Sequence, residues 1–384
     1  MNEIAERPNL AEDLEPETQE ILKENHFDAD AFFELWRRFR NGEIDGDSNA
    51  VDGNVEPPRD SDTERLPDRS SDEAWHRIQL GRKALKEGKV GVVVLNGGMA
   101  TRFGEVVKGC VDVFNGHSFL ELKLRDACRH GDKVDVLLMN SFATDEASRQ
   151  HIEENNYFGC PSSSIHPFLQ NVSIRLNPEG ELFQRDDGTV SLYSPGHGDM
   201  PDALNRGPLE DFLERGGEYL MMSNVDNLLA TLDPLVIGSH IKASSVSDVE
   251  MTVEAVEATP EDAGGKPARV DGSLEIVESF RFPEEFDWED IPVFNTNTFM
   301  FDAEALQRDF DLGWYLVEKT VQGRTAIQFE RLAGELSHFL KTKVLRVPRE
   351  GDQARFQPIK TRDDLANNRE RIKRILQKRG FESG

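Results

Sequence analysis

Four segments of the sequence combine glycine, cationic and carboxylate residues at spacings suited to holding phosphate. The first, Leu95-Asn96-Gly97-Gly98-Met99-Ala100-Thr101-Arg102-Phe103-Gly104, follows an apolar run and precedes Lys108. Such a turn lets backbone N–H groups approach an anion without side-chain obstruction, and Arg102 and Lys108 add positive charge. It is not an ATPase loop, which needs GK[ST], and Gly97-Gly98-Met99 breaks the dinucleotide fingerprint. The second, Ser194-Pro195-Gly196-His197-Gly198-Asp199, places three backbone-constraining residues around a histidine. The third, Ser223-Asn224-Val225-Asp226-Asn227, puts Asp226 after the apolar Glu218–Met222, where a carboxylate can hold Mg2+ against a substrate phosphate. The fourth, Arg355-Phe356-Gln357-Pro358-Ile359-Lys360, presents Lys360 after a proline-fixed stretch. Singly these read as a tight turn, a turn-forming aspartate or a solvent-facing charge. Together they point to phosphate chemistry.

The elements that must position these residues are short and alternate in type. Lys89–Asn96 is a β-branched, nearly continuous apolar run, as a strand buried on both sheet faces requires. Ser118–His130 has Leu120, Leu124 and Ala127 at helical spacing, and Val134–Asn140 reads as a second strand, completing a βαβ unit. Further strands are expected at Glu218–Asn224, Val249–Val256, Val293–Phe301 and Lys343–Val347. The predicted fold class is α/β, a doubly wound, mostly parallel sheet. Upstream, Asp28 is positioned to cap a helix over Ala29–Phe39, and Asn41–Asp72 reads as an acidic linker or extended wrap. The expected divisions are an acidic N-terminal helical segment and linker (1–73), an α/β domain (74–340) and a C-terminal strand and helix (341–384).

Composition narrows the partners. The 384 residues carry 45 Lys+Arg against 72 Asp+Glu, a formal charge of -27 that argues against nucleic acid as a ligand. Any phosphate must be small and locally neutralised. Apolar runs stay strand-sized, so no membrane partner is expected, and the N-terminus lacks a signal-peptide layout, which predicts the cytoplasm. Cys110, Cys128 and Cys160 show no CxxC spacing and are expected to be reduced.

In this order the motifs resemble the UDP-sugar pyrophosphorylase family, closest to its UTP:glucose-1-phosphate uridylyltransferases, from about Phe32 to Leu365. Phe294-Asn295-Thr296-Asn297 is similar to the family's FNTN segment, Arg355–Lys360 to its RFxPxK segment, and Lys108-Gly109-Cys110-Val111-Asp112-Val113 to the stretch after its nucleotide loop. The resemblance implies a nucleotide-diphospho-sugar transferase-like fold of GT-A type. It implies that Leu95, Asn96, Gly97 and Gly98 lie against the nucleotide and that Met139, Gln170, Gly196 and His197 face the uridine and its adjoining phosphate. Lys108 would meet the UTP phosphates and Asp226 would bind Mg2+. Asn224, Glu275, Asn295 and Asn297 would hold the hexose and Lys360 its phosphate, with Arg102 adding to the catalytic charge. Asn295 and Asn297 share one face if the strand alternates regularly. Arg102 is similar to the N-acetylhexosamine uridylyltransferases, which keeps N-acetylglucosamine 1-phosphate open as the sugar.

The expected reaction is in-line attack of a sugar-1-phosphate oxygen on the α-phosphorus of UTP, catalysed by positioning and charge neutralisation. The attacking phosphate is already ionised, so His197 reads as a binder rather than a proton shuttle. A nucleotide-sugar-binding regulator without turnover is the rival from another class. No C-terminal β-helix is expected, and with it absent and the charge high, the chain is expected to be a monomer whose Phe32, Phe33, Leu35 and Trp36 fold back on the core.

Overall fold

The computed structural model of the protein describes residues 7–46, 49–100 and 106–381. Its central sheet has eight strands: β1 (Thr63–Arg65), β2 (Val90–Leu95), β3 (Asp135–Asn140), β4 (Ile165–Leu169), β5 (Tyr219–Asn224), β6 (Met251–Glu257), β7 (Val293–Asp302) and β8 (Thr342–Arg346). Across the sheet they run β1-β8-β6-β7-β5-β2-β3-β4. All neighbouring pairs are parallel except those of β7, which is antiparallel to β5 and β6.

The apolar run that predicts β2 is continuous because both sheet faces are covered. Val90, Val92 and Val94 pack with Leu120, Leu124 and Val136, whereas Val93 and Leu95 pack with Leu137, Met139 and Phe212 on the opposite side. The carboxyl ends of β2 and β5 lie in register, Leu95 beside Asn224. The nucleotide-type loop and the Asp226 turn therefore leave the sheet side by side, at the edge where α/β sheets bind ligands.

The predicted N-terminal helix spans Ala29–Arg40, and the Asp28 carboxylate accepts the Ala31 N–H at 2.9 Å as its cap. Phe32 and Leu35 are buried, but with Val172, Ile174, Leu176, Ile327 and Phe329, in a lobe apart from the main sheet. Trp36 Nε1 donates to the Gly180 carbonyl at 2.8 Å. The segment expected to be linker supplies β1 at the sheet edge and Val55–Glu56, which pairs with Gly265–Val270. No described helix is long and apolar enough to cross a membrane.

The expectation of three reduced cysteines is corrected for two of them. Cys128, the last residue of helix Phe119–Cys128, is joined to Cys160 by a disulfide, with Cα atoms 5.7 Å apart, while Cys110 is free. Packing of that helix against the Asn156–Gly159 turn joins two thiols separated by 32 residues, a proximity no local spacing announces.

Candidate functional site

Lys108 and Asp226, 118 residues apart, meet: Nζ lies 2.7 Å from Asp226 Oδ2. Lys108 opens a 3-10 turn after Val106–Val107, a strand paired with Met99–Ala100. Asp226 sits two residues beyond β5, whose exit is pinned by the Val225 N–H donating to Leu95 O at 3.1 Å. The other Asp226 oxygen, Oδ1, is buried without a hydrogen-bond partner. The segment carrying Lys360 arrives at the same place, the Ile359 N–H donating to Asp226 O at 3.3 Å. Asn227 ties the two chains together, accepting the Gln357 N–H at 3.1 Å and donating to Arg355 O at 3.2 Å. Beneath them Arg355 forms a buried bidentate pair with Glu254 at 2.5 and 2.6 Å. Lys360 itself is exposed, just before Thr361, which caps helix Arg362–Lys378 in a capping box with Asp364. An anion there meets both an ammonium and a helix N-terminus.

The side expected to take the nucleotide is built from glycine and amide contacts. A Cβ on Gly97 would overlap Gln170 Nε2, so only glycine lets this buried amide lie against the loop. His197 accepts the Ala333 N–H at Nδ1, 2.8 Å away, and burial holds its pKa below the ordinary value. The ring is therefore neutral at pH 7 with its proton on Nε2, a hydrogen-bond donor. Asp199, buried and pushed up to about 6 by desolvation, anchors the turn by accepting both the backbone and side-chain N–H groups of Asn171.

The opposite wall comes from β7 and the hairpin Gly265–Val270/Ser273–Glu278. A Cβ on Gly265 would fall 2.8 Å from Glu278 Oε1 and 3.3 Å from Asn295 Nδ2, so the missing side chain leaves both polar groups facing one space. Burial pushes Glu278 up to about 7, opposed by Arg281 and Lys360 and reinforced by Glu330. Lys360 is thus among the charges that act on this carboxyl. Asn297 Nδ2 donates to Asn224 Oδ1 at 3.2 Å, linking this wall to the Asp226 turn.

Residues 29–376 match the family model described as UTP--glucose-1-phosphate uridylyltransferase. The chain belongs to that family. A Schizosaccharomyces pombe relative, "Probable UTP--glucose-1-phosphate uridylyltransferase", is 32% identical over 302 residues, covering 72% of this chain and 58% of its own length. The UTP--glucose-1-phosphate uridylyltransferase of Hordeum vulgare is 30% identical over 303 residues, covering 74% of this chain and 62% of its own. The chain thus spans about three fifths of the length of these curated relatives. Among solved structures, the UDP-glucose phosphorylase of Trypanosoma brucei superposes with a TM-score of 0.72 at 24% identity, over 91% of this chain and 77% of that one. The uridine diphosphate N-acetylglucosamine pyrophosphorylase of the same organism gives 0.70 at 19%, over 94% and 82%. These likenesses carry the fold expected for the family.

Of the expected site residues, Lys108 meets Asp226, Asn297 meets Asn224 and bonds Asn295, the Lys360 segment meets Asp226 through the Ile359 N–H, and Gly97 lies against Gln170. Arg102 falls outside the described residues. The surroundings of Met139, Leu95, Asn96 and Glu275 are also defined. The Met139 side chain is 2% exposed and belongs to the apolar cluster under β2, and Leu95 and Asn96, 8% and 1% exposed, are likewise buried. Asn96 Nδ2 donates to Asn140 Oδ1 and Ser148 Oγ, each at 2.8 Å. Glu275 pairs with His338 at 2.8 Å, whereas Glu278, three residues on, lies with Asn295 around the position a Gly265 Cβ would take. Finally, β7 does not alternate regularly: the pairing with β6 shifts at Val253/Ala255, and Asn297 is left-handed at φ 53°, its N–H bonded to Asn295 Oδ1 at 2.9 Å.

Proposed function

We propose that the chain transfers a uridylyl group from UTP to glucose 1-phosphate, releasing pyrophosphate. The observation that carries this reading is the meeting of Lys108, Asp226 and the Lys360 segment between a glycine loop and a wall of Asn295 and Glu278. Family membership supplies the reaction class. Lys108 stands where a triphosphate leaving the Gly97–Gly98 turn would run, and Lys360, beside a helix N-terminus, suits the sugar phosphate. The site would bring two anions together and neutralise them, so that the sugar-phosphate oxygen attacks the α-phosphorus in line. His197, a neutral donor, suits the uridine or its phosphate without moving a proton. Asn295, Asn297 and Glu278 suit hexose hydroxyls.

Asp226 fits a hard cation, because its Oδ1 is buried and without a partner. Among the described residues no group of three His, Cys, Asp or Glu forms a metal cage, which suits Mg2+ held by one carboxylate and substrate phosphates. When bound, Mg2+ would neutralise phosphate charge. We also place the protein in the cytoplasm as a monomer, where charged nucleotides and sugar phosphates are held behind membranes.

Purified protein supplied with UTP, Mg2+ and separate sugar 1-phosphates tests this. Pyrophosphate release should be highest with glucose 1-phosphate. Faster release with N-acetylglucosamine 1-phosphate would change the sugar, and none with any sugar would leave a binding protein.

A further inference from the structure

Helix Phe119–Cys128 carries at its centre a buried cation that none of the roles above uses. Lys123 is 5% exposed, and its Nζ donates to Ser223 Oγ at 3.0 Å, Asn227 O at 2.8 Å and Ala230 O at 3.0 Å. All three ammonium donors are thereby used, and none of the acceptors is charged. Burying an ammonium costs several kcal/mol that a methionine or leucine of similar size would not, and desolvation lowers its pKa to about 8. A charge kept at that cost, on the buried face of the helix between Leu122 and Leu124, needs a structural return.

The acceptors show what the return is. They lie three residues before, one after and four after Asp226, so the ammonium closes the whole turn around it. One turn along the helix, Asp126 accepts the Leu232 N–H at 2.6 Å, so the same helix also holds the far end of the loop. Asn227, whose carbonyl Lys123 holds, uses its side chain to grip Arg355 O and Gln357 N. The chain of contacts therefore runs from one lysine to both anion-handling arms.

We propose that Lys123 is a positioning residue of the phosphate site: its three donors fix the 223–230 turn and, through Asn227, the 355–360 segment, so that Asp226 and Lys360 address the same substrate anions. This inference rests on the uridylyl-transfer reading for its kinetic consequence but not for its structural one. It touches neither substrate nor metal and acts through the residues that do.

Lys123→Met keeps length and volume while removing the donors and the charge, and Ser223→Ala removes one acceptor only. In ligand-free protein, amide hydrogen exchange in the Lys123→Met variant should accelerate by about tenfold or more over residues 225–230 and 357–360, the loss expected for a charge-assisted hydrogen bond, with β2 unchanged. In the same preparation kcat should fall by about tenfold or more while KM for UTP and for glucose 1-phosphate shifts by less than about threefold, because positioning acts on the reacting geometry rather than on binding. Unchanged exchange in both segments, an equal rise throughout the sheet, or a kcat within about twofold of the parent would each overturn the proposal. If Lys123→Met does not fold, Ser223→Ala decides: faster exchange confined to 225–230 with a lowered kcat supports the clamp, and parent values sink it. A parent protein without uridylyl transfer would remove the proposed function, while the exchange measurement would still test the clamp.

Discussion

Lys108 Nζ and Asp226 Oδ2 stand 2.7 Å apart, each side chain about one sixth exposed, so the cation proposed for triphosphate and the carboxylate proposed for metal neutralise each other. Substrate and metal would have to separate them. The pair keeps two opposite charges aligned at the mouth of an acidic protein, and it exchanges one partner for another on binding instead of leaving either charge bare.

Lys108→Ala should lower kcat by about 100-fold or more, as for other single groups that stabilise developing charge. Pyrophosphate release is the measurement, with circular dichroism to show an intact fold. Near-parent turnover would remove Lys108 from catalysis.

Asp226→Ala should leave little activity at any ordinary Mg2+ concentration. A Mg2+ titration curve matching the parent's would place the metal elsewhere.

The two glutamates of the hairpin should behave oppositely. Glu278→Gln is expected to raise KM for the sugar phosphate by about tenfold, the loss of one hydrogen bond to a charged group, while Glu275→Gln should change it by less than about twofold. Reversal of that order would restore Glu275 to the sugar site. Glu278 also gives a stability signature: its ordinary value is 4.5, but folding raises it to about 7, so between these values the folded chain holds a proton the unfolded chain has lost. Its contribution is present below pH 4.5 and is lost as pH rises towards 7. Urea unfolding of parent and Glu278→Gln should therefore show the parent losing ground over that interval, and parallel curves would contradict the raised value.

Removing the Cys128–Cys160 cross-link by Cys160→Ser should lower unfolding free energy by about 2–4 kcal/mol, the usual range for a bond closing a loop of this length. Denaturant midpoints of parent and variant, with and without dithiothreitol, check it. If reductant leaves the parent's midpoint unchanged, the bond contributes nothing.

The parts of this molecule legible in its sequence are those whose signal is local. β2 announced itself because a strand covered on both faces must be apolar at every position, and Asp28 because capping needs only the next three residues. Glu275 and Glu278 cannot be told apart in the sequence for the opposite reason: a strand's two faces are distinguished by its register with Gly265 and Asn295, which the hairpin and β7 settle together. Lys123 reads as a surface residue until the acceptors about 100 residues downstream are seen. The reversed direction of β7 and the Cys128–Cys160 bond are likewise facts of three-dimensional neighbourhood.

The isolated bridge between Asn227 and Pro358 has a consequence for how the protein is made. Synthesis proceeds from the N-terminus at about 5–20 residues per second, and folded parts form as they emerge. Asn227 and the turn around Asp226 are made before the Pro358 segment, so the bridge closes only when a much later stretch of chain arrives. Formation of the bridge therefore reports long-range closure of the fold, not any local turn.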